Sequence, residues 1–168
     1  MRPKDKQVSQ SEADRLFVEA ERKEESGERK AAFRCLLQGA KLGDGPCMVN
    51  VGNFYAAGTG TRRDLKEAAL WYKRAYRQGL RDGASNLAVD LRNAGNLRGA
   101  VAWFRRAVAL NDGDACIELA KMVQERRHGR SKAEGLLRRA LSLSPSDLSD
   151  AGREEAERLL ASLTEQRR

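Results

Sequence analysis

The chain has 168 residues, 40 % of them hydrophobic and 33 % charged, with a formal net charge of +8. That length supports one domain with a sizeable buried core. With 3 prolines and 5 % aromatics in a background rich in Ala, Leu, Arg and Glu, the composition predicts a helical fold. No apolar run is long enough to span a bilayer, and the polar start MRPKDKQVSQSEAD lacks the apolar stretch of a secretion signal. A cytoplasmic location is therefore expected. Cys35, Cys47 and Cys116 are odd in number and widely spaced, which predicts buried free thiols rather than a disulfide framework or a metal site. The excess of basic charge lies in residues 47–146, between near-neutral ends.

In chain order, residues 1–9 read as a disordered polar tail. A first helix is expected from about Gln10–Ser11, with Ala13, Leu16, Phe17 and Ala20 on one face. Ser26-Gly27 breaks it. A second helix carries Ala32, Phe33, Leu36 and Leu37, and ends at Leu42-Gly43-Asp44-Gly45-Pro46. A third has Val51, Phe54 and Tyr55 inward, and Ala57-Gly58-Thr59-Gly60 turns the chain. Asp64 with Glu67 makes a capping box for a fourth helix, where Leu65, Ala68, Trp71, Tyr72, Ala75 and Tyr76 keep helical spacing.

The pattern then recurs. Trp71-Tyr72-Lys73-Arg74-Ala75 matches Trp103-Phe104-Arg105-Arg106-Ala107 and Leu136-Leu137-Arg138-Arg139-Ala140, and Cys35-Leu36-Leu37-Gln38-Gly39 is a degenerate copy. Val51-Gly52 corresponds to Leu87-Ala88 and Leu119-Ala120. Ser131 with Glu134 repeats the capping box. A period of about 32–36 residues with two helices per unit predicts an all-α solenoid: four antiparallel helix pairs over 11–45, 46–82, 83–113 and 114–145, and a capping helix at 149–164. Together they form a single repeat domain, 10–164. Leu159, Leu160 and Leu163 are the apolar residues of this helix, which covers the end of the core, and Glu154, Glu155, Glu157 and Arg158 are its polar ones, for a solvated outer face.

The second unit, Val51-Gly52…Tyr55…Gly58-Thr59-Gly60…Asp64…Glu67-Ala68…Trp71-Tyr72-Lys73-Arg74-Ala75…Gly79, closely resembles the Sel-one-like repeat, a subfamily of the tetratricopeptide-type repeats with the pattern LG..Y..G.G...D..KA..WY.KAA..G. The other units match it less well. The third shortens its turn to Asn93-Ala94-Gly95-Asn96, and the fourth places Gln124-Glu125-Arg126-Arg127-His128-Gly129-Arg130 there, as ordinary tetratricopeptide repeats do. The resemblance implies a right-handed superhelix with a concave face lined by the first helix of each pair. It implies scaffold, adaptor or chaperone work, and many members are bacterial.

Catalysis is not expected. His128 is the one histidine and sits among arginines in a turn; a general base, a metal cage or an activated nucleophile each needs more partners. Gly58-Thr59-Gly60 is no phosphate loop, since Arg63 stands where a third glycine belongs and no strand precedes it. No cofactor, metal or membrane is expected.

Two surfaces are candidates for recognition. On the first helices, Asn50, Asn86 and Glu118 hold one equivalent position, Asn53, Val89 and Lys121 a second, and Phe54, Asp90 and Met122 a third. Asparagine offers a donor and an acceptor together, which suits a peptide amide, so Asn50, Asn53, Asn86, Asp90, Glu118 and Lys121 are the expected partner-binding residues. On the second helices, Lys73-Arg74, Arg105-Arg106 and Arg138-Arg139 make a basic ladder, joined by Arg62-Arg63, Arg77, Arg81, Arg92, Arg98 and Arg126-Arg127. It is read either as ordinary solvated surface, whose stems cover apolar area, or as an electrostatic footprint for an acidic protein or, less favoured, a nucleic acid. The leading expectation is a non-enzymatic adaptor or scaffold binding a protein or peptide, with acidic partners favoured. A bacterial immunity or inhibitor protein, an effector chaperone, a nucleic-acid-associated factor and head-to-tail self-association stand beside it.

Overall fold

A computed structural model describes residues 3–124 and 129–165, with residues 3–11 described by their backbone alone. Nine α-helices and no strands occur among the described residues: α1 (Pro3–Glu25), α2 (Arg29–Lys41), α3 (Gly45–Ala57), α4 (Leu65–Arg77), α5 (Arg81–Asn93), α6 (Leu97–Ala109), α7 (Gly113–Gln124), α8 (Gly129–Leu141) and α9 (Asp150–Glu165). The fold is all-α and of the helical-repeat solenoid class, as the periodicity predicts.

The helix ends follow from local chemistry. Asp44 caps α3 by accepting the Cys47 N–H at 2.7 Å, with Pro46 in the first turn, where a missing N–H costs nothing. Gly58 ends α3 in the left-handed region at φ 74° and returns its N–H to the Phe54 carbonyl. Asp64 caps α4 as expected, accepting from Lys66 and Glu67 at 2.9 and 3.1 Å. Asn96 caps α6 through the Gly99 N–H, and Asp112 holds the Ala115 N–H at 2.8 Å ahead of α7. After α6 the left-handed position is taken by Asn111, at φ 59°, a residue that tolerates it through local hydrogen bonding.

Two expected boundaries move. Helix α1 begins at Pro3, upstream of the start expected near Gln10; proline suits a first turn, and Lys4, Lys6 and Gln7 are good helix formers. Helix α8 begins at Gly129, so Ser131 lies inside it. The expected capping box there does not form, and Glu134 instead pairs with Arg138 one turn on.

The chain divides into two compact units, Met1–Asp90 and Leu91–Arg168. The division falls within α5 for a packing reason. Gly83, early in α5, sits against the backbone of α4, whereas Arg92 in its last turn pairs with Glu118 on α7 and lies over the Phe104 ring of α6. In the first unit, Leu36, Cys47, Val51, Phe54, Trp71 and Ala75 form the core. Phe33 stacks on Phe54 at 5.9 Å and meets Tyr55 edge-on at 5.2 Å. In the second, Phe104, Cys116, Ile117, Leu137 and Leu148 are fully buried. Small residues let helices approach: Gly52 lies beneath the Tyr72 ring, and Ala88, Ala107, Ala120 and Ala140 are fully or almost fully buried.

Candidate partner-binding face

In each odd-numbered helix from α3 to α7 a buried small residue, Gly52, Ala88 or Ala120, faces the core. The expected recognition residues sit around it, two positions before and one or two after. In the first unit this arrangement brings Asn53 and Asn86 together. The Asn53 Oδ1 accepts two hydrogen bonds, from the Tyr72 hydroxyl at 2.9 Å and from Asn86 Nδ2 at 2.9 Å. Tyr72 is 2 % exposed. Burial, and then the nearby Asp90 charge, raise its hydroxyl above the ordinary phenol range, so it stays a protonated donor. The amide of α3 is thus oriented from behind by α4 and from the side by α5. Asn50 does not join the pair, because its Nδ2 returns to the Pro46 carbonyl of its own helix at 3.1 Å.

Asp90, one turn after Asn86, is half-buried, and its Oδ2 is shut from solvent with no hydrogen-bond partner among the described residues. Burial raises its pKa, and the Arg63 guanidinium works against that. An acid whose folded pKa is raised contributes stability that is complete below its unfolded pKa and lost as pH rises through the folded value. Asp90→Asn is therefore expected to stabilise the protein near neutral pH by about 0.5–1 kcal/mol, a figure that allows for solvent screening. The gain should fade as the pH falls toward 4 or so, near the ordinary Asp value. Chemical denaturation of both proteins across that range checks it, and a gain that grows on acidification would refute the sign.

Glu118 and Lys121 belong to the second unit, where they bind each other and their neighbours. Glu118 pairs with Arg92 and Lys121, Lys121 reaches Glu155 of α9 at 3.2 Å, and Glu155 meets Arg158 at 3.8 Å. Burial pulls the Lys121 pKa down, but hydrogen bonds and charge from Glu118 and Glu155 outweigh it, and the net movement is upward. These two residues fasten the capping helix to α7.

The basic pairs divide by position. The second member of each is held internally: Arg74 stacks on Trp71 at 4.4 Å and Arg106 on Trp103 at 4.5 Å, while Arg139 donates to the Val108 carbonyl at 2.8 Å. Of the first members, Arg138 pairs with Glu134, and Lys73 and Arg105 form no ion pair among the described residues. Trp103 is only half-buried, unlike Trp71. Arg126, Arg127 and His128 lie outside the described residues.

The three thiols are free, with Cys47 and Cys116 buried and Cys35 half-buried. Burial raises all three, Cys116 to about 11, which leaves them protonated and poor nucleophiles. Among the described residues no group of His, Cys, Asp and Glu side chains is placed to hold a metal, and no helix is long and apolar enough to cross a membrane. The residue that sequence reasoning passed over is Tyr72, which it used for packing alone; a buried phenol needs a hydrogen-bond partner, and that need was the available signal.

Comparison with known proteins agrees with the fold. A Sel1 repeat profile matches residues 28–44, 45–80 and 94–112. Curated protein sequences give no match. Among solved structures, a Sel1 repeat protein from Oxalobacter formigenes superposes with a TM-score of 0.65 at 18 % identity, over 76 % of this chain and 57 % of that one. The protective antigen c5321 of uropathogenic Escherichia coli, which displays an SLR fold, gives 0.65 at 15 % identity over 94 % of this chain and 41 % of that one. MamA gives 0.56 at 14 %, over 98 % and 88 %. The chain thus spans well under two thirds of the length of the first two.

Proposed function

We propose that this Sel1-repeat helical protein binds a protein or peptide segment through the α3 and α5 face of its first unit. Sel1 repeat proteins are in general non-enzymatic protein-interaction scaffolds, and that general role is the premise. The hydrogen-bonded Tyr72–Asn53–Asn86 set carries the specific reading. A surface amide ordinarily turns freely and loses that freedom on binding. Asn53 is already held, so a partner backbone meets an oriented donor at lower entropic cost.

Lys73 and Arg105, the first members of their pairs and without an ion pair among the described residues, support a second element: steering of acidic partner surfaces toward the even-numbered helices. Oppositely charged surfaces raise association rates more than they deepen affinity.

Affinity capture followed by titration of the captured partner tests the reading. Asn53→Ala/Asn86→Ala is expected to weaken binding about tenfold or more, the loss of two hydrogen bonds. Arg105→Glu is expected to slow association and flatten its salt dependence. A partner held equally well by the asparagine variant would show that the face is wrongly assigned.

A further inference from the structure

The third repeat carries a carboxylate where the second and fourth carry apolar side chains. Asp90 stands two residues after the buried Ala88, as Phe54 stands two after Gly52 and Met122 two after Ala120. Phe54 at this position is core, 5 % exposed and stacked on Phe33. The Asp90 Oδ2 is enclosed and lacks a hydrogen-bond partner among the described residues, a state that costs more than the apolar side chain it replaces. Arg63 is the cation that bears on it. That guanidinium, however, gives its Nε to the Ala56 carbonyl at 3.0 Å and forms no ion pair with Asp90 among the described residues. Nothing in the packing of the unit rewards an acid here.

Its surroundings do. Asn86 precedes it by four residues, so both lie on one face of α5. Because the Asn53 Oδ1 takes the Tyr72 and Asn86 protons, the groups without a partner among the described residues are Asn53 Nδ2, a donor, Asn86 Oδ1, an acceptor, and the Asp90 carboxylate. A peptide unit supplies the complements of the first two. The third, enclosed at Oδ2 but only half-buried as a residue, asks for a donor that is charged, since only a charge-assisted bond offsets the desolvation of a carboxylate.

We infer that Asn53, Asn86 and Asp90 form one site for an extended peptide bearing an N–H-donating cation, either a Lys or Arg side chain or a free amino terminus, that settles on Asp90. This rests on the partner-binding reading above and sharpens it. Lys73 and Arg105 on the even-numbered helices are proposed above to steer acidic surfaces, whereas this site selects the opposite charge at one position of the bound segment.

A microarray of random peptides, half acetylated and half with free amino termini, is incubated with the whole protein at moderate salt, which suppresses attraction of acidic peptides to the basic helices. Retained peptides are expected to be enriched about tenfold in Lys or Arg at one register, or in free amino termini, over Glu at the same place. The acetylated half separates the two cation sources. Asp90→Asn, with folding checked by circular dichroism, should abolish that preference. Asn86→Ala should reduce retention of all peptides alike. Peptides retained with no cation preference, with an acidic one, or with one unchanged in Asp90→Asn overturn this inference and leave the peptide-binding reading standing. No peptide retained overturns both.

Discussion

Tyr72→Ala is expected to lower the stability of the protein by about 3–5 kcal/mol, the range for removing a large ring from a core. Tyr72 is 2 % exposed, and its ring covers Gly52 so closely that a side chain there would collide with it. Truncation leaves a hole facing a glycine, which has no atoms to move into the space. It also frees Asn53 from one of its two hydrogen bonds. Tyr72→Phe separates these effects. It keeps the ring and deletes only the hydroxyl, so stability should fall by about 1 kcal/mol. Because Asn53 then keeps only Asn86 as an anchor, binding should weaken as well. Urea denaturation of the three proteins orders them wild type, phenylalanine, alanine. A phenylalanine variant as damaged as the alanine variant would mean that the hydrogen bond, not the packing, holds this region.

The architecture was legible because it is written in short-range patterns. The recurrence of Trp71–Ala75 as Trp103–Ala107 and Leu136–Ala140 sets the helix phase, and residues 43–46, 58–60 and 93–96 carry the chemistry that ends one helix and starts the next. What was less legible depends on where a side chain ends rather than on where its Cα lies. Asn50 and Asn86 are equivalent in repeat position, yet the bond joins Asn53 to Asn86, three residues out of step, because Asn50 turns back to its own helix. Lys73-Arg74 and Arg105-Arg106 look uniform in sequence, but Arg74 and Arg106 lie three residues after a tryptophan and fold onto it.

Gly83 and Gly135 make the same residue type give opposite results. Both are helical, and in an exposed helix interior alanine gains about 0.5–1 kcal/mol over glycine by restricting the unfolded chain. Gly135, exposed in α8, has nothing within 4 Å of where a Cβ would stand, so Gly135→Ala is expected to stabilise by that amount. At Gly83 a Cβ would lie 2.5 Å from the Tyr72 carbonyl oxygen and 2.9 Å from the Tyr76 nitrogen. These are backbone atoms of α4, tied into its own hydrogen bonds, and they cannot turn aside as a flexible side chain would. Overpacking of a core costs about 1–3 kcal/mol. Valine adds two methyl groups to the clash and forgoes the helix preference of alanine, so Gly83→Val is expected to lose about 2–3 kcal/mol. The damage should extend beyond stability: α5 pushed off α4 carries Asn86 away from Asn53, and the pair that depends on a 2.9 Å bond separates. Thermal unfolding of both variants, with peptide binding of Gly83→Val measured below its transition, checks the argument. A Gly83→Val protein that melts as late as wild type would show that α5 does not pack on α4 as closely as this contact requires.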